Sequence, residues 1–311
     1  MRLSTLSLAL ALAAAPLAAE SPRPLPRPGS VAVAGPEGAT ADPLAGLLTL
    51  PGRSVDVRYS SESLDRAARL QSRLEALHGL WQPLTRRPLI FEGVAVTRDD
   101  WQRLELAKRL APGRASDWGL PVELGAGRFV VPARGDAESV AALVARFGRP
   151  LPDPGGDPLV GTREEAGSLI AGEVLLQLGA ARRFVAVAGL EGGEPWIAGV
   201  LAHLAARYAW ESVEPDRVLE VVALLDRLIL LHGGPRAHRL AAYRTGLPES
   251  QELWYEAQFV RGADALWIVE GRRGAARKLE RWARRGKPIA RADLERDYPA
   301  LVAWQDASFA P

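Results

Sequence analysis

Apolar residues recur along this chain with two different periods. Val55, Val57 and Tyr59 alternate with polar neighbours, as a half-buried strand requires. Residues 62–82 follow, with Leu70, Leu74, Leu77 and Trp81 on one face at helical spacing. "PLIFEGVAVT" (88–97) reads as a strand pair or one bent strand, and "DWQRLELAKRL" as a helix favoured by Asp99 and Asp100 at its start. "GRFVVPA" (127–133) is a third strand pattern, and Asp136 caps a short helix that runs to Phe147. A Pro/Gly-rich break covers 148–158. Beyond it the strand period disappears. Helices are expected at about 162–178, 195–211, 215–232, 235–245, 250–271 and 274–285, with a short one near 292–296. The pattern predicts an α+β fold: a small N-terminal sheet with helices over 54–158, then an all-helical half over 159–311. No repeat of fixed period is present.

The first fifty residues differ in kind. Arg2, an apolar run from Leu6 to Ala15, and small residues up to Ala19 before Glu20 make a secretory signal peptide over 1–19, cleaved near Ala18 or Ala19. The run is too short for an ordinary membrane-spanning helix. The expected location is periplasmic or extracellular. Pro22, Pro24, Pro26, Pro28, Pro36 and Pro43 mark 20–50 as a flexible leader, so order is expected to begin near Ser54. With no cysteine anywhere, disulfides and cysteine-linked lipid are excluded, and the core alone must hold the fold. The net charge of +2 provides no field of the kind that marks a nucleic-acid binder.

Little of the remaining sequence looks like chemistry. There is no Gly-x-Ser-x-Gly elbow, no thiol nucleophile, and no phosphate loop of the Gly-Lys-Ser/Thr type. The exception is "AGEVLLQLG" (171–179), which puts Glu173 into an apolar helical run on the face of Ala166, Leu169, Ile170 and Gln177. A carboxylate taken out of water needs a partner, and Arg182 or Arg183 is the nearest in sequence. Some twenty residues later, Glu194-Pro195-Trp196-Ile197-Ala198-Gly199 opens another helix.

This pair of segments resembles the two active-site helices of gluzincin zinc metallopeptidases, the thermolysin-like or peptidase MA-like families. There, His-Glu-x-x-His supplies two ligands and the water-activating Glu, and a second helix supplies a third ligand. The resemblance covers the architecture of 54–285, with "GRFVVPARGD" as the strand before the first helix and "ELWYEAQFVRGADALWIVEG" as a later packing helix. It implies a zincin-like fold with Glu173 in the catalytic position. It also places the ligand positions on Gly172, Leu176 and Gly199, none of which has a donor atom. The implied protein is an inactive relative without zinc or other cofactor. It would hold a polypeptide or envelope partner in a cleft lined by Trp196, Gly199, His203, Trp254 and Tyr255. His203, one turn beyond Gly199, could face Glu173 as a substitute ligand or a His–carboxylate pair. His232 and His238, around a Gly-Gly-Pro break, read as structural, and the basic segment 272–291 as a solvated face or, through Arg281, Arg284 and Arg285, a contact for an anionic partner. Two alternatives stand beside this reading: a hydrolase with Glu173 as general base and an unorthodox or absent metal, and a structural or interaction protein of the cell envelope.

Overall fold

The computed structural model describes residues 42, 44–109, 118–133, 137–148, 163–191, 193–244 and 247–310. The expected signal peptide, nearly all of the expected leader, Asp136 and most of the Pro/Gly-rich break lie outside the described residues.

Five short strands form one mixed sheet: β1 (Leu48–Leu50), β2 (Asp56–Tyr59), β3 (Glu92–Val96), β4 (Val122–Glu123) and β5 (Arg128–Pro132). Their order across the sheet is β1-β2-β3-β5-β4. The three central strands run parallel, with Val57 beside Gly93 and Val94 beside Val130, and the two edge strands are antiparallel to their neighbours. "PLIFEGVAVT" therefore makes one strand, and order begins before Ser54. Leu44 is buried under the sheet and β1 pairs with β2, so the leader ends about eight residues earlier than its prolines suggest.

Alternation along the strands feeds two cores. Val94, Val96 and Val130 face Leu44, Trp101 and Trp118 on one side. Val57, Ala95, Phe129 and Val131 face the other, where helix α1 (Leu64–Trp81) lays Leu70, Leu74, Leu77 and Trp81. Helix α2 (Arg98–Arg103) is capped by the Thr97 hydroxyl, which accepts from the Asp100 amide, and it ends in a short 3-10 turn rather than one long helix. Helix α3 (Ala137–Phe147) completes the first half.

The second half is helical as expected: α4 (Arg163–Val187), α5 (Pro195–Val213), α6 (Val218–His232), α7 (Glu249–Arg285), α8 (Arg291–Asp297) and α9 (Pro299–Ser308). Two expectations change. Among the described residues of the segment 235–245 there is only a 3-10 turn, Leu240–Ala242, and a helix absent from the sequence pattern, α9, packs against α7. The break expected between 250–271 and 274–285 survives as an interruption of α7 at Gly271, with φ 61° and ψ 177°. That backbone conformation is essentially open to glycine alone.

The two halves share a core. Trp81 at the end of α1 stacks on Phe184 of α4, ring centroids 5.3 Å apart, and one apolar cluster runs from Val57 to Trp304. The helices after 158 thus pack onto the sheet half, with α4 and α5 against α1.

Candidate functional site

Glu173 lies on α4, its side chain 10% exposed and the Arg73 side chain 8% exposed. Arg73 Nη2 is 3.1 Å from Glu173 Oε2, and Arg217 Nη1 donates to the same oxygen at 2.7 Å. Arg73 also donates to Glu214 Oε1 at 2.6 Å and lies over the Trp210 ring, 4.7 Å from its centroid. Gln177, one turn along α4, donates to the Ala206 carbonyl of α5 at 2.9 Å. The result is an alternating carboxylate–guanidinium chain joining α1, α4, α5 and the turn before α6. Burial lowers the affinity of Arg217 for its proton, but Glu173 and Glu214 more than offset this and raise its pKa above the ordinary value.

The predicted partners go elsewhere. Arg182 is bonded to Glu256 of α7, and Arg183 lies near Glu123 and Glu191, both of whose carboxyls burial pushes up. His203 does not face Glu173 either. Its Nε2 is 2.8 Å from Glu256 Oε2, with Glu256 1% exposed. Burial, assisted by Arg182 and Arg146, pulls the His203 pKa down to about 3, so a neutral ring donates from Nε2. This Arg182–Glu256–His203 group ties α4, α7 and α5 together. The cavity beside it is about 20 Å³, room for a single water, and its lining includes Val174, Leu178, Trp210 and Leu228 together with Arg146 and Arg207.

The three expected ligand positions do not converge. A Cβ on Gly172 would meet Pro121, Leu176 is in the apolar core, and a Cβ on Gly199 would lie 2.6 Å from the Phe259 ring. Gln177 crosses α5 at Ala206, and Gly199 is seven residues (206 − 199) nearer the helix start, about 10 Å at 1.5 Å per residue. The level of α5 that faces Glu173 is therefore that of Trp210, at its far end. A twenty-residue spacing in sequence does not set this register; the length of α4, which continues to Val187, sets it.

The expected cleft residues are also in the core. Trp196 and Tyr255 are each 1% exposed and Trp254 6%. Trp196 donates to Glu194 Oε2 at 2.6 Å, and Tyr255 to the Arg239 carbonyl at 2.7 Å. These rings belong to an aromatic stack with His238, Tyr243, Phe259 and Phe309. The reading of Trp196, Gly199, His203, Trp254 and Tyr255 as an open lining is corrected: they are packing residues. His232 is structural too, with Nε2 2.9 Å from the Arg146 carbonyl. All three of the basic trio are exposed, and Arg284 is paired with Glu280.

Among the described residues, no three His, Asp or Glu side chains gather as a metal site. Sequence reasoning missed Arg73, Glu214, Arg217 and Glu256. Glu256 could have been found, because "LWYEAQF" sets a carboxylate among aromatics just as "AGEVLLQ" does. Comparison with known protein families, curated proteins and solved structures gives no match.

Proposed function

We propose that this chain is an exported, non-catalytic binding protein with a zincin-like arrangement of sheet and helices, related in architecture to gluzincin metallopeptidases. One observation carries the reading. The carboxylate in the position of the water-activating Glu is buried and engaged by two guanidiniums, Arg73 and Arg217. A general base needs a free lone pair directed at a water or substrate proton. Glu173 has its charge committed to holding the fold, and Gly172, Leu176 and Gly199 bring no donor to the positions that would bind metal. The partner then meets an outer surface of the molecule rather than the Glu173 region.

The test is direct. The purified chain is incubated with casein and a peptide library and assayed for bound zinc. The expected outcome is no turnover and no stoichiometric zinc. Peptide cleavage that disappears in Glu173→Gln at unchanged melting temperature would restore the hydrolase reading.

A further inference from the structure

One surface concavity gathers charge that the fold does not use. It measures about 520 Å³ and lies between the loop after α1, which supplies Arg86, and the turn from α7 to α8, which supplies Arg285, Lys287, Pro288 and Ile289. The two segments are in contact: Arg86 Cδ comes within 3.6 Å of where a Cβ on Gly286 would stand. Arg86, Arg285 and Lys287 are exposed and have no ion-pair partner among the described residues. Among the described residues, the buried and half-buried arginines Arg73, Arg182, Arg207 and Arg217 are by contrast engaged with carboxylates. The three cations of the concavity outnumber the two carboxylates that share the lining and leave it net positive.

The rest of the lining is different. Asp293 and Asp297 belong to it, each also near Arg296, at 2.9 Å and 3.6 Å. Carboxylates so placed keep spare lone pairs for hydroxyl donors. Trp282, Ile289 and Leu294 add apolar surface to the lining. A concavity of this size accommodates a small ligand.

From this we infer that the cavity binds a phosphate monoester, with Arg86, Arg285 and Lys287 holding the phosphate and Asp293 and Asp297 accepting from hydroxyls on its body. The donor set selects the class: two guanidiniums and an ammonium outnumber the two aspartates of the lining, and guanidiniums match phosphate oxygens in bidentate fashion. Lys287 belongs to the basic segment 272–291 marked in the sequence, whereas Arg86 joins it only because the loop after α1 reaches this place in the folded chain. The inference rests on the binding-protein reading, and the two fail separately: peptidase activity would overturn that reading alone, absent phosphate binding this site alone.

Calorimetric titration of the full chain with glucose 6-phosphate, with glucose as control, tests the free ester, and sedimentation with vesicles containing phosphatidic acid tests a lipid headgroup. The double variant R86E/K287E is compared with R273E, which reverses an exposed arginine outside the cavity. Saturable glucose 6-phosphate binding, weakened at least tenfold in R86E/K287E and unchanged in R273E, supports a soluble ester. Vesicle binding alone with the same variant pattern supports the same phosphate site filled by a headgroup. No binding to either, or equal loss in R273E, overturns the site. Circular dichroism checks folding, and R86Q/K287Q replaces the charge-reversed pair if that pair does not fold.

Discussion

The substitution Glu173→Gln separates a structural carboxylate from a catalytic one. It keeps the shape and a hydrogen-bonding oxygen and removes the charge that faces Arg73 and Arg217. Removing one partner of a buried ion pair costs about 3–5 kcal/mol, because the other charge is left uncompensated. Two features here reduce that figure. Arg73 keeps Glu214 at 2.6 Å, and the Arg217 side chain is 31% exposed and partly screened. The expected loss is then about 2–3 kcal/mol, a fall in melting temperature of roughly 5–10 °C at about 2–4 °C per kcal/mol for a chain of this size. Thermal unfolding followed by circular dichroism measures it. The double variant E173Q/R217Q should lose less than the two single losses added together, since the two groups are in contact. A melting temperature unchanged or raised in Glu173→Gln would refute the reasoning, because residues kept for function at the expense of stability behave that way when replaced.

Four further outcomes are expected. Gly199→Ala drives a Cβ to within 2.6 Å of the Phe259 ring and should cost about 1–3 kcal/mol in urea unfolding. By the same contact the triple variant G172H/L176H/G199E should gain no zinc in metal analysis. Gly271→Ala meets no neighbour within 4 Å but must hold φ 61° and ψ 177°, so it should destabilise by about 1–3 kcal/mol despite the open space. His203, with its pKa pulled from 6.5 to about 3, binds its proton more readily in the unfolded chain. Its contribution to stability is complete above pH 6.5 and is lost as pH falls toward 3, at a limiting slope of about 1.4 kcal/mol per pH unit. Urea midpoints at pH 7, 6 and 5 should show this fall, and His203→Asn should flatten it.

Local pattern carried much of the fold. The stripe Leu70, Leu74, Leu77 and Trp81 marked α1 because helical period and burial coincide there, and Arg128–Pro132 read as a strand because its apolar residues face two cores. The edge strands β1 and β4, three and two residues long, exist only through pairing and carry no period of their own. The buried carboxylate was equally visible: an apolar run around Glu173 demands a counter-charge whatever the fold. Which counter-charge was not. The nearest arginines along the chain turned to Glu256, Glu123 and Glu191, and Glu173 found Arg73, one hundred residues back (173 − 73), and Arg217, forty-four ahead (217 − 173). The register of α4 on α5 decided this, and with it moved Gly199 away from the level of Glu173. Sequence by itself determined that a charge is buried, because the cost of burial is local. Tertiary packing alone decided what answers it, because ion-pair geometry depends on which helices meet and at what height.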